Sequence, residues 1–389
     1  MTKLIFPVFI SLLILSGIGY SFEIKKISQP TISFGSGTGL TTAQQTLVKA
    51  AIEPTLGGYL DSTIGKANTA LSGFSNQQDL AQGFANANTF SSHSGTFAGY
   101  QNYKLFAVGG GFMIGVQAPS LNLSYYSKIA DEINSEGDLY AGVGVSTTFL
   151  NVGINAGFLV PGLYLNAKWG GTGFEVADFK YDFQVMGIGA NYRLLDSKSL
   201  VGLIKWRGIS IGTGVYYQSN TIEYTVSTDP VYQDLPLGDL ISAQVGTTAA
   251  SGLGFNGTSE TQMALTPEFT MGLDVATTTI PIDAVTSLSV LFGVLNIYGG
   301  VGFDINFGSC EIGLSGTSMV NTDTPDSTKM TITEAEVEFD GLSDNSPVFA
   351  RPRFITGVGF GIGPVKLDIP IIYYPTAGLA FGVSGIVAW

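Results

Sequence analysis

Apolar residues alternate with small or polar ones from about residue 104 to the end of the chain. In "KLFAVGGGFMIGVQ", Phe106, Val108, Phe112, Ile114 and Val116 share one face. Ala107, Gly109, Gly111, Met113, Gly115 and Gln117 share the other. Leu150, Val152 and Ile154 oppose Asn151, Gly153 and Asn155. "MALTPEFTMGLDV" sets Met263, Leu265, Phe269, Met271, Leu273 and Val275 against Thr266, Glu268, Thr270 and Asp274. Leu295, Ile297, Val301, Phe303, Ile305 and Phe307 oppose Asn296, Tyr298, Asp304 and Asn306. Val365, Leu367, Ile369, Ile371 and Tyr373 oppose Lys366 and Asp368. Period two predicts β-strands. The apolar rows run for about ten residues, enough for a tilted strand to cross a bilayer. The opposite face is rich in Gly, Ser and Thr and poor in charge, which suits a closely filled lumen better than open water. The pattern predicts an all-β fold: a transmembrane antiparallel β-barrel of about 12 to 14 strands over residues 104–389. "VPGL", "LLDSKS" and "GIGPV" predict short turns at one end. The polar stretch 219–262 predicts a large surface loop at the other.

The N-terminal part reads differently. Lys3, the apolar run Leu4–Leu15 and the small residues Gly19 and Ser21 predict a secretory signal peptide over residues 1–21. Residues 22–103 then form an extended and helical segment. Leu47, Ala51, Leu56, Tyr59, Leu60, Ile64, Ala67 and Leu71 have helical spacing, and Pro54 is expected to end the first helix near Glu53. A second short helix fits "NQQDLAQGFANANTF". These small-residue helices suit a plug inside the barrel or a cap at its periplasmic end.

Composition agrees with export to a membrane. The chain is 45% hydrophobic and only 12% charged, with 52 glycines. Its net charge of −13 excludes nucleic acid as a partner, because phosphate neutralisation needs Lys and Arg. The lone cysteine, Cys310, and lone histidine, His93, leave no disulfide and no zinc cluster to build. "FSSHSGTF" places His93 among serines, but no Gly-x-Ser-x-Gly elbow accompanies it, so the reading is a polar loop, no enzyme and no cofactor.

The candidate lumen residues are Lys168, Arg207, Glu268, Asp274, Asp304, Arg353, Lys366 and Asp368. "MTITEAEVEFD" puts Glu334, Glu336, Glu338 and Asp340 in one acidic stripe. It is either a cation-attracting lining of a lumen or vestibule, or the wet face of a strand above the membrane. The second reading is preferred.

The chain ends "LAFGVSGIVAW". With the signal peptide and the alternating strands, this ending resembles bacterial outer-membrane β-barrels. Their last strand carries a terminal aromatic with apolar residues at every second place before it. Phe381, Val383, Val387 and Trp389 match this pattern, and Gly385 departs from it. The resemblance implies recognition by the barrel-assembly machinery and residence in the outer membrane of a diderm bacterium, in contact with its lipid. An N-terminal segment preceding the barrel is also similar in architecture to the FadL family of hydrophobic-compound channels. That likeness implies a plugged lumen and a small or hydrophobic ligand. Two functions follow as expectations. One is a channel or transporter with a plugged lumen. The other is an adhesin or display protein whose loops bind an extracellular partner, with the barrel as anchor.

Overall fold

The computed structural model describes residues 23–72, 77–96, 103–117, 142–201, 204–227, 230–255, 261–266 and 268–389. The expected signal peptide lies outside the described residues. Strands β1 (Glu23–Lys26) and β2 (Ile32–Phe34) precede helices α1 (Thr42–Ser72) and α2 (Gln77–Ser91). Then come β3 (Phe106–Gln117), β4 (Gly142–Asn155), β5 (Leu163–Val176), β6 (Phe179–Leu195), β7 (Lys198–Val201), β8 (Ile204–Ser227) and β9 (Val231–Leu235). Helices α3 (Leu237–Val245) and α4 (Thr247–Gly252) follow, then β10 (Thr261–Leu265), β11 (Glu268–Val290) and β12 (Leu295–Thr322). The chain finishes with β13 (Met330–Ile332), β14 (Ala335–Asn345), β15 (Ala350–Ile362), β16 (Val365–Tyr374) and β17 (Gly378–Ala388).

Among the described residues, ten strands close an antiparallel ring: β3, β4, β5, β6, β8, β11, β12, β15, β16 and β17. The pairings β3–β17 and β12–β15 complete it. The ring has fewer strands than the 12 to 14 expected. The cause is strand length: β8, β11 and β12 have 24, 23 and 28 residues, more than one crossing needs. Period two counts such a strand twice. No helix among the described residues is long and apolar enough to cross a membrane.

One end of the barrel carries short connections, including Leu291–Val294 and Gly363–Pro364. There the Trp389 carbonyl accepts from the Lys104 amide at 2.7 Å, tying the chain end to the start of β3. At the other end β8, β11 and β12 continue past the ring. The upper part of β12, Cys310–Val320, pairs with β14 instead of β15, and β1 extends this sheet. The sheet, α1, α3, α4 and the pairs β2–β13 and β9–β10 form a head. The expected loop 219–262 is therefore largely ordered structure, containing the end of β8, β9 and two helices.

Helix α1 runs through Pro54 rather than stopping there. An interior proline costs about 3 kcal/mol. Val48, Ile52, Leu56 and Leu60, four residues apart, are buried against the sheet and offset that cost. Helix α2 then turns down into the ring against β3, β4, β11 and β12. The segment 22–103 is thus divided: its first helix lies in the head, far from the short turns, and its second fills the lumen.

The strands show where the membrane ends. On β12 the outward residues Ile297, Val301, Phe303 and Phe307 are exposed and apolar, and the inward Asn296, Tyr298, Asp304 and Asn306 are buried. Beyond Gly308 the inward face stays the same, but its residues become Cys310, Ile312 and Leu314. The outward residues become Ser309, Glu311 and Ser315. On β11 the change falls between Thr277 and Val275, directly opposite. On β8 it falls between Asn220 and Ile222. The hydrophobic phase flips across neighbouring strands without a slip in register. Below this line the outside is lipid, and above it water.

Candidate functional site: a sealed lumen

Small residues let α2 descend. Gly83 and Ala87 meet a wall of glycines, and Ala81 and Ala85 pack with Ile222, Leu273, Val275, Cys310 and Ile312. A Cβ on Gly115 or Gly144 would strike the Ala87 carbonyl oxygen, so helix and wall touch backbone to backbone. Side chains then fasten the helix. Asn88 Nδ2 donates to Thr277 Oγ1 at 2.9 Å, and Gln218 Nε2 donates to Asn88 Oδ1 at 2.7 Å and to Ser91 Oγ at 2.9 Å. The Ser94 hydroxyl meets Ser146 at 2.7 Å and Thr148 at 2.9 Å. Phe90 stacks on Tyr374 with ring centres 3.9 Å apart.

Below the helix lies a buried ionic cluster. Arg353 Nη2 contacts Asp283 Oδ2 at 3.0 Å. Its Nε faces Asp304 Oδ1 at 3.2 Å, an ionic contact outside hydrogen-bonding geometry. His93 Nε2 lies 3.2 Å from Asp304 Oδ2, and Arg353 Nη1 lies 2.9 Å from His93 Nε2 and 3.1 Å from Nδ1. The imidazole therefore lies between a donor, the Arg353 guanidinium, and an acceptor, the Asp304 carboxylate. Tyr374 Oη donates to Asp304 Oδ2 at 3.0 Å. Lys168 donates to the carbonyls of Ser92 and Ser94, the latter at 3.0 Å, and sits 4.1 Å from the Tyr216 ring centre. A cation there also suits the negative end of α2. Arg353 thus stands between two carboxylates, Asp283 and Asp304, while Lys168 is held by carbonyls and an aromatic face. A cavity of about 40 Å³ beside His93, Tyr216, Asp283 and Arg353 has room for water and little else.

Of the expected lumen residues, Lys168, Asp304, Arg353 and Asp368 are buried inside the barrel. Asp368 accepts from Tyr298 Oη at 3.2 Å. Arg207 and Lys366 are half-buried near the short-turn mouth. Glu268 and Asp274 are not lumen residues: both are exposed on the outside of β11, and Leu273 and Val275 turn inward in their place. Those apolar residues lie above the membrane line, where apolar means inward. The acidic stripe lies on the outward face around β14, with Ala335, Val337 and Phe339 in the head core beneath it. Lys25 answers Asp340 at 2.8 Å. Phe381 and Val383 face outward, and Trp389 stacks on Phe106 at 4.7 Å. Nothing in the structure explains Gly385, whose Cβ position opens on empty space.

His93 lies in a polar turn after α2, as read from the sequence, but that turn is buried at the centre of the barrel, which the sequence reading did not foresee. That reading also left out Asp283, Tyr374 and Gln218. Asp283 and Tyr374 sit at alternate positions opposite Ile282 and Tyr373, so the period-two pattern could have found them.

Several solved structures match over most of the chain at low TM-scores. The translocator domain of the autotransporter NalP from Neisseria meningitidis matches at 10% identity and a TM-score of 0.26, over 74% of this chain and 90% of that one. The toluene transporter TodX from Pseudomonas putida matches at 8% identity and a TM-score of 0.20, over 74% and 89%. The transport unit of the autotransporter AIDA-I from Escherichia coli matches at 8% identity and a TM-score of 0.15, over 74% and 91%. No curated protein sequence matches this one at a significant level. The closed ring with its apolar outer band is an outer-membrane β-barrel. A family model described as Lsa36-like matches residues 42–387, nearly the whole chain, and the protein belongs to the Lsa36-like family.

Proposed function

We propose that the protein displays its head at the cell surface and that the barrel is a closed anchor. In barrels of this class the short turns face the periplasm. That rule directs the head outward. The carrying observation is the filled lumen: α2 and the Arg353–Asp304–His93 cluster occupy the centre, beside a cavity of about 40 Å³. A resting barrel packed in this way passes no solute larger than water. The exposed outward face of the head, with Asp274, Glu311, Asp340 and Asp344, is then the surface on offer to an extracellular partner. Phe381, Val383, Val387 and Trp389 serve as the address read by the assembly machinery.

A plugged channel is the second reading. Its support is the chemistry of the contact between α2 and the wall. Amides, hydroxyls and backbone, rather than apolar side chains, make most of it, and water can replace such partners when the helix moves.

Planar-bilayer recording tests the two together. The display reading expects a silent wild type, and conductance after deletion of residues 77–95. Gated opening of the wild type by voltage or a hydrophobic solute would favour the channel. On intact cells, a membrane-impermeant thiol label should reach a cysteine placed at the exposed Asp344 in the head, while the buried Cys310 stays unlabelled.

A further inference from the structure

The short-turn mouth contains a second charged group that the sealed lumen does not use. Arg207 lies on β8 and Lys366 on β16. Arg207 is held from one side only: its Nε donates to Ser289 Oγ, Ser289 to Asn296 Oδ1, and Asn296 Nδ2 to the Gly293 carbonyl at 3.1 Å. This chain engages the guanidinium through Nε and leaves Nη2 beside Gly293. Arg207 Nη2 lies 3.3 Å from the point a Cβ on Gly293 would occupy. A Cβ on Gly361 would lie 3.2 Å from the Gly293 oxygen and 3.8 Å from Lys366 Cγ. Two glycines, Gly293 and Gly361, therefore lie between Arg207 on one side and Lys366 on the other and let the two side chains come close over the turns. The two cations are close enough to repel each other. Lys205, two residues from Arg207 and in register with Ser289, adds a third positive charge at the rim. Among the described residues none of the three forms an ion pair. The nearest acid along β16, Asp368, is buried deeper and bonded to Tyr298.

Half-buried like charges without a counter-ion are costly, and a bound anion removes that cost. The outer side of the same two turns is apolar. Leu291, Val294, Ile362 and Val365 are all more than 40% exposed. The mouth thus sets apolar residues suited to acyl chains on the outer side of a cationic pair. We propose that Arg207 and Lys366 form a site for the phosphate of an anionic glycerophospholipid, whose head group lies over the rim and whose acyl chains lie on Leu291, Val294, Ile362 and Val365. With the short turns at the periplasmic side, this lipid comes from the inner leaflet. Free phosphate shares the head-group chemistry but cannot use the apolar half.

The test uses the full-length protein in dodecyl maltoside, with bound lipid read by native mass spectrometry. The probes are dioleoyl phosphatidylglycerol, dioleoylglycerol and inorganic phosphate. Phosphatidylglycerol should bind, and both others should bind far more weakly. Each cation near a membrane surface is worth about fivefold in affinity, so R207Q/K366Q should bind phosphatidylglycerol about thirtyfold more weakly. K366R should keep binding, and Lys25→Gln in the head should change nothing. Equal binding of dioleoylglycerol would overturn the cationic half of the site. Equal binding of inorganic phosphate would overturn the lipid. So would undiminished binding by R207Q/K366Q. The wild-type comparison of the three probes decides the matter even if the double variant does not fold. It is made in detergent and does not depend on which way the head faces.

Discussion

The lumen and the head are two interiors built on the same strands, and they are filled by opposite rules. Along β12 the inward side chains are Asn296, Asp304 and Asn306 in the lumen, then Ile312, Leu314 and Val320 in the head. The backbone does not change phase between them. What changes is the outside. Around the lumen, lipid takes the apolar residues, and the interior is held by hydrogen bonds, ion pairs and close backbone contact. Around the head there is water, so burial of apolar surface has to happen inside, at about 25 cal/mol per Å². Inward polarity in a barrel is therefore set by the solvent on the far side of the wall. One strand can carry both rules in succession.

If the two interiors are independent, each should fail alone. The largest effect is expected in the lumen. Arg353→Leu leaves Asp283 and Asp304 buried without their guanidinium, and removal of one partner of such a group costs about 3–5 kcal/mol. The barrel's heat-modified gel mobility should appear at a markedly lower temperature, and bilayer conductance should rise as α2 loosens. The head should keep its protease resistance. Leu56→Ala is the converse. It opens a cavity beneath α1 and should cost about 2–5 kcal/mol. Protease should then cut the head at lower urea, with the gel shift of the barrel unchanged. If both variants weakened both parts equally, the division into two interiors would be wrong.

The inversion also explains what could be read in advance. Strand period, outer-membrane class, a helical insert and the buried Lys168, Asp304, Arg353 and Asp368 were all legible, because alternation alone reports them below the membrane line. Glu268 and Asp274 were misplaced because alternation reports which residues share a face, not which solvent that face meets. Leu273 and Val275 form an apolar row as regular as Ile297 to Phe307, yet one row faces the core and the other lipid. The strand count failed for the same reason, since a strand that outruns the bilayer continues its alternation. His93 stayed hidden because its partners, Asp304 and Arg353, come from strands more than two hundred residues away.

The membrane line itself makes a smaller and sharper prediction. Ile282 and Asp274 are on the outward face of β11, on either side of the line. Ile282→Arg puts a charge in lipid and should cost about 2–4 kcal/mol, whereas Asp274→Arg, at the interface or above it, should cost about 0–1 kcal/mol. Reversible urea unfolding in lipid vesicles gives both values. Equal costs would move the line or remove it.

The smallest effect is expected at the edge of the head, where β1 pairs with β14. Lys25 Nζ meets Asp340 Oδ2 at 2.8 Å, but the two side chains are 43% and 56% exposed. Water screens such a pair, and its loss is worth about 0–1 kcal/mol. The edge has a better fastening inside. Ile24 is buried, its amide donates to Asn68 Oδ1 at 2.8 Å, and Asn68 Nδ2 donates back to the Ile24 carbonyl at 3.2 Å. Lys25→Ala should therefore leave β1 protected from amide exchange, and Asn68→Ala should expose it. The opposite order would mean that charge on the wet face, rather than burial beneath it, holds the strand in place.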